Sequence, residues 1–139
     1  MNKFQNSKTV KQAKGMMGEI WALEWMKQHG YTILAKNWRS GRYEIDLVCT
    51  DGKVIVFVEV RSFFSATKSF PESSILSLKQ TSVQKATKKY IAENRIQLPV
   101  RQDVVGIRFS SWGKQLLHIP DAFSMRSSTS LTQSSKLYH

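Results

Sequence analysis

Two stretches of the chain alternate between apolar and polar residues, and a tight turn separates them. Tyr43-Glu44-Ile45-Asp46-Leu47-Val48-Cys49 is one, and Val54-Ile55-Val56-Phe57-Val58-Glu59-Val60-Arg61 is the other. Period-two alternation is the mark of a half-buried strand. Asp51-Gly52 between them is a favoured dipeptide for a two-residue type I′ turn. A hairpin closed there pairs Thr50 with Lys53, Asp46 with Phe57 and Glu44 with Glu59.

Helical spacing appears on either side of this hairpin. Ala13, Met16, Ile20 and Leu23 form an apolar stripe on a helix from about Lys11 to His29, with Gly30 as its C-terminal cap. Trp21 and Trp25 fall on the other side, so this helix is apolar nearly all round. A second helix fits from about Ile75 to Asn94, with Leu76, Val83, Ala86 and Tyr90 as its stripe. Tyr31–Trp38, Asp103–Phe109 and Lys114–His118 read as further strands, and residues 63–74 as a long loop. The order α-β-β-β-α-β-β predicts an α/β fold, a mixed β-sheet flanked by helices.

Length and charge narrow the function. A chain of 139 residues is one domain, here placed at residues 13–123. Residues 1–12 read as a flexible basic arm, and the serine-rich segment 124–139 as a disordered tail. Lys and Arg number 21 against 10 acidic residues, a net charge of +11. Such a balance calls for a polyanionic partner, nucleic acid first and an anionic membrane surface second. The single cysteine, Cys49, excludes an internal disulfide and a thiolate metal cluster. No apolar run is long enough to span a bilayer and no secretory signal is visible, so a cytoplasmic location is expected.

The hairpin carries the candidate chemistry. With side chains alternating across a strand, Glu44, Asp46, Glu59 and Arg61 share one face, and Asp46 and Glu59 are diagonal neighbours ~7–8 Å apart. Two carboxylates on a half-buried face cost free energy unless something pairs with them. A hard divalent cation would account for them, because Mg²⁺ prefers one or two carboxylates with water and phosphate oxygens. Alternatively, the face is solvated and its charges are ordinary surface groups. Glu19 projects near the first helix's stripe and adds a third carboxylate. On the second helix Lys79 lies on the inward arc, while Lys85, Lys88 and Lys89 face away; these, with Arg39 and Arg42, are the expected phosphate contacts. His29 and His118 read as a helix-end and a strand-surface residue, and no histidine is assigned to a metal.

A wider set of motifs is more specific. Gly18-Glu19, Gly30-Tyr31-Thr32-Ile33-Leu34, Asn37, Glu44-Ile45-Asp46-Leu47-Val48, Val56-Phe57-Val58-Glu59-Val60-Arg61, Lys79, Arg101-x-Asp103-Val104-Val105 and Asp121-Ala122-Phe123 occur in the order and spacing of the YraN-like family. That family is similar to the restriction-endonuclease-like superfamily, and its members look most like archaeal Holliday-junction resolvases. The resemblance covers about residues 13–123. It implies Mg²⁺ or Mn²⁺ at Asp46 and Glu59, Glu19 as the helix-borne carboxylate, and a catalytic set of Glu19, Asp46, Glu59 and Arg61. Arg61 stands where the superfamily has lysine, Tyr43 where the family usually has glycine, Gln102 where phenylalanine is usual, and Phe63 where a basic residue is usual.

These readings predict a metal-dependent endonuclease acting on DNA, including branched DNA. The competing reading is a nucleic-acid-binding module of the same fold that has lost turnover. A third, using Trp21 and Trp25, is a protein-interaction role such as a homodimer.

Overall fold

The helix predicted from Lys11 starts earlier, and its buried face is not the expected one. The computed structural model describes residues 3–64, 80–123 and 136–138. Helix α1 runs Lys3–Gln28, so most of the segment read as a flexible arm is helical. Among its residues with described side chains, the buried positions are Gly18, Ala22, Trp25 and Met26. Met16 and Ile20, expected in the core, are 63% and 59% exposed. A helix that is apolar nearly all round has no unique stripe, and packing chose the side where Gly18 and Ala22 allow close approach and Trp25 and Met26 fill the core. A methyl group on Gly18 would stand 2.3 Å from Ser62 Oγ, so α1 lies against the sheet as closely as glycine permits. The helix ends as expected. Tyr31 N–H donates to Met26 O at 3.1 Å and Gly30 N–H to Lys27 O at 3.2 Å, with Gly30 at φ 89°, the Schellman arrangement.

The strands are β1 Thr32–Ser40, β2 Tyr43–Thr50, β3 Ile55–Phe64, β4 Val100–Ser110, β5 Gly113–Ile119 and β6 Lys136–Tyr138. They form one sheet in the order β1-β2-β3-β4-β5-β6. Only β3 and β4 run parallel. Parallel neighbours need a crossover, and helix α2, Gln80–Glu93, lies within that connection. The expected α/β order is therefore observed, with one strand added. Lys136–Tyr138 pair with β5, so the segment read as a disordered tail contributes an edge strand. Residues 65–79, which hold most of the expected loop, the start of the second helix and Lys79, lie outside the described residues, as do residues 124–135.

The sheet is covered on both faces. Ala22, Trp25 and Met26 of α1 pack on Leu47, Cys49, Val56, Val58, Val105, Ile107 and Leu116. Ala86 and Tyr90 of α2 pack on Ile45, Val48, Ile55 and Phe57. Trp25 is thus a core residue rather than a free interaction surface, and Trp21 is half-buried with Lys114 Nζ 4.7 Å from its ring centre. Among the described residues no helix is long and apolar enough to cross a membrane.

A buried polar cluster ties β4 to β5 and to the end of α1. Asp103 is fully buried and accepts from Arg101 Nε at 2.7 Å, from Arg101 Nη2 at 2.8 Å and from Asp121 N–H at 3.0 Å. His118 Nε2 stands 2.8 Å from Asp103 Oδ2, and Arg101 Nη2 donates to the Tyr31 hydroxyl at 2.8 Å. Burial opposes the charge on Asp103, but the bonds from His118 and Arg101 outweigh it and hold its pKa below the usual value. His118 is therefore not the surface residue expected. It is buried, with its ring against Trp25 at 4.8 Å.

Candidate functional site

The site lies where two strands part. The β2–β3 ladder runs from Thr50↔Ile55 to Leu47↔Val58. Beyond it, β2 stays with β1 to Tyr43, and β3 stays with β4 to Phe64. Asp46 and Glu59 are the next residue on each side, so they face one another across the mouth of the notch. The register differs from the expected one by two residues. The turn is longer than a type I′ pair because Asp51 Oδ1 accepts from both Lys53 N–H (2.8 Å) and Val54 N–H (3.0 Å). A slip of two keeps every side chain on its face, but it makes Asp46 and Glu59 opposite rather than diagonal.

Asp46 fills a gap in the backbone pairing. Its Oδ2 accepts the Val60 N–H at 2.8 Å, where no β2 carbonyl is left to do so. On the other side of β2, Lys36↔Leu47 and Trp38↔Ile45 are paired, and Asn37 between them stands opposite Asp46 at φ 50°. β1 also carries a bulge between Ile33 and Ala35, and the alternation of β2 breaks beside Asp46. Leu47 and Cys49 pack on the α1 side, whereas Ile45 and Val48 both pack on the α2 side. Asp46 sits at the crossing point.

The four predicted residues consequently do not share one face. Asp46 lines a cleft of about 340 Å³ between α1 and the sheet, with Glu19, Asn37, Met16, Ile20 and Val60 also on its walls. Glu59 lines a small recess on the α2 side with Glu44, Phe57, Val83 and Thr87. The two carboxylates still interact at the notch, where each shifts the other's pKa and the Asp46 charge favours the protonated form of Glu59. Burial pushes Glu59 up to about 7, with the Asp46 charge next in weight and Arg61 opposing. Burial also raises Asp46, against the bond from Val60. Glu19 is raised by burial and then by Asp46 and Glu44, while a side-chain hydrogen bond from Asn37 lowers it.

Arg61 reaches back along its own strand. Its Nη2 is 3.2 Å from Glu59 Oε1, and its side chain is 46% exposed. A carboxylate pair that holds a proton at the edge of neutrality can exchange that proton for a cation. The donor set is hard oxygen throughout, which suits Mg²⁺ or Mn²⁺ and not a soft metal. Among the described residues no three His, Cys, Asp or Glu side chains are already arranged around one ion position. Asp46 and Glu59 supply two donors, and Glu19 borders them from the α1 side without completing a cage.

The basic candidates collect around the β1–β2 turn and the outer face of α2. Arg39 Nη2 pairs with Glu44 at 3.4 Å. Arg42 and Lys89 both approach the Tyr43 ring, at 5.5 Å and 5.3 Å from its centre. Lys85 and Lys88 are exposed on α2. Lys79 lies outside the described residues. Sequence patterning did not give Asn37 a role in the site; its signal was a turn-forming residue set inside a strand.

The comparisons with known proteins agree with this core. The model of a family described as Uncharacterised protein family UPF0102 matches residues 18–107, a span that holds Glu19, Asp46, Glu59 and Arg61. A UPF0102 protein of Geobacter metallireducens is 39% identical over 112 residues, covering 80% of this chain and 92% of the relative. One from Anaeromyxobacter dehalogenans is 40% identical, covering 81% of this chain and 85% of the relative. One from Porphyromonas gingivalis is 34% identical, covering 81% and 84%. The chain belongs to the UPF0102 family, the YraN-like family whose motifs it carries.

Proposed function

We propose that this UPF0102 protein is a Mg²⁺- or Mn²⁺-dependent endonuclease acting on DNA, with branched DNA among its substrates. The observation that supports this most is the Asp46–Glu59 pair, two half-buried carboxylates facing each other at a strand divergence, each with its pKa raised by burial. Hydrophobic packing has no use for such a pair, and its desolvation is costly unless a cation compensates.

Asp46 and Glu59 would hold the ion, and a bound divalent ion supplies an activated water and charge neutralisation at the phosphate. Asp46 is held by the Val60 N–H, so it would keep its position when Glu59 loses its proton. Glu19 adds negative charge on the α1 side of the cleft. Arg61 is always cationic and does not act as a base. Its half-exposed guanidinium stabilises charge developing on a phosphate instead. Lys85, Lys88, Lys89, Arg39 and Arg42 give the strand a cationic path, and Lys79 joins them from the sequence pattern alone. Cleavage of four-way and linear DNA with Mg²⁺, compared between wild type and Asp46→Ala, tests the reading. Loss of cleavage in the variant supports it, and equal cleavage by both proteins rejects it.

One observation favours the second reading, a nucleic-acid-binding module without turnover. Arg61 is engaged by Glu59, so the cation that would meet the phosphate is already paired with a proposed metal donor. DNA binding that is indifferent to divalent metal, with no cleavage, would select that reading.

A further inference from the structure

We propose that Asn37 is a positioning residue: it holds Glu19 against Asp46, and through Glu19 it strengthens divalent-cation binding at the Asp46–Glu59 pair. The inference rests on the metal reading above and assigns a role to a residue outside the expected catalytic set.

Three observations converge on Asn37. Its backbone is left-handed, at φ 50°, inside a nine-residue strand. Residues other than glycine seldom adopt this conformation, and such strain concentrates at functional sites. It stands opposite Asp46, between the paired residues Lys36↔Leu47 and Trp38↔Ile45. Its side chain lines the cleft that Glu19 and Asp46 share, within reach of the Glu19 carboxylate, whose pKa it lowers.

Core packing does not explain the side chain, which is exposed rather than buried. The backbone conformation alone admits glycine, asparagine or aspartate. Glycine would relieve the strain but leave Glu19 without its donor. Aspartate would place a fourth carboxylate against Glu19. Asparagine is the one of the three that fits the irregular strand and also donates to a carboxylate. The same residue therefore combines two features. Its left-handed backbone stands opposite Asp46, where the alternation of β2 crosses between the faces. Its amide keeps the helix-borne carboxylate turned toward that crossing.

The test is a double-mutant cycle of Asn37→Gly and Glu19→Gln in the full chain, read by Mn²⁺ calorimetry and by thermal melting. Asn37→Gly keeps the left-handed backbone, so its melting temperature stays at or above wild type. Its Mn²⁺ affinity falls roughly tenfold, as expected when an outer partner of a metal site is removed. In the Glu19→Gln background the same substitution has no further effect, because its action passes through Glu19. Unchanged Mn²⁺ affinity in Asn37→Gly, or additive losses in the double variant, overturns the proposal while leaving the metal site standing. Mn²⁺ binding that is absent in wild type, or untouched in Asp46→Ala/Glu59→Ala, overturns the metal reading and this proposal with it.

Discussion

Asp46 accepts the Val60 N–H at 2.8 Å across the point where β2 and β3 separate, so a proposed metal ligand also completes the backbone bonding of the sheet. The two roles can be separated. Asp46→Asn keeps an acceptor for Val60, whereas Asp46→Ala leaves a part-buried N–H without one. Asp46→Ala should lose about 1–3 kcal/mol of stability in urea unfolding and Asp46→Asn clearly less. Both should lose Mn²⁺ binding in calorimetry.

Glu59 makes stability depend on pH. Its folded-state pKa of about 7 is above its ordinary value of 4.5, so the folded state binds the proton more tightly than the unfolded state. Stability from this group is therefore fully present below about pH 4.5 and is lost as pH rises through about 7. The difference amounts to about 3 kcal/mol at most. Between pH 5 and pH 8, without divalent metal, the wild-type melting temperature should fall roughly 5–10 °C more than that of Glu59→Gln. Adding Mg²⁺ at pH 8 should recover part of the loss in wild type and none in Glu59→Gln.

Asp103 predicts the opposite slope at acid pH. Its folded pKa is depressed, so its stabilisation is present above the ordinary value of 3.8 and is lost as pH falls through the lower folded value. Asp103→Ala leaves Arg101 and His118 without their carboxylate and should cost about 3–5 kcal/mol in denaturant titration. Asp103→Asn should flatten the stability profile below pH 4.

Gly18 leaves room for Ser62 where α1 crosses β3. A methyl group there would meet Ser62 Oγ at 2.3 Å. Gly18→Ala should destabilise by about 1–3 kcal/mol, read by urea unfolding. Gly18→Ala combined with Ser62→Ala should recover most of that loss, because the atom in the way is removed.

The lysines of α2 should act through phosphates. Replacing Lys85, Lys88 and Lys89 with alanine should weaken DNA binding uniformly across sequences. The slope of log affinity against log salt should become shallower by about 0.9 for each phosphate no longer neutralised. Fluorescence anisotropy across a salt series measures both.

The local patterns were enough for most of the elements and for the candidate residues they carry. Alternation located β2 and β3, and a slip of two residues in the turn did not move Asp46 or Glu59 off those strands. Gly30 marked the end of α1 because its left-handed conformation is a local requirement. Motif spacing was sufficient to place the chain in its family. Tertiary structure decided the rest. The buried side of α1 could not be read from a helix with apolar residues all round; it was set by the closeness that Gly18 and Ala22 allow against Ser62 and its neighbours. Asp46 and Glu59 line different recesses, with Asp46 opposite the left-handed Asn37, a local irregularity that a periodic reading smooths over. The Asp103–His118 pair joins residues on neighbouring strands, and burial, not sequence, brought two ordinary polar side chains into one hydrogen-bonded cluster. Sequence determines what a residue can do chemically and which local geometry it favours. Only packing determines which neighbours exclude water from it, and that exclusion sets the charge this site carries.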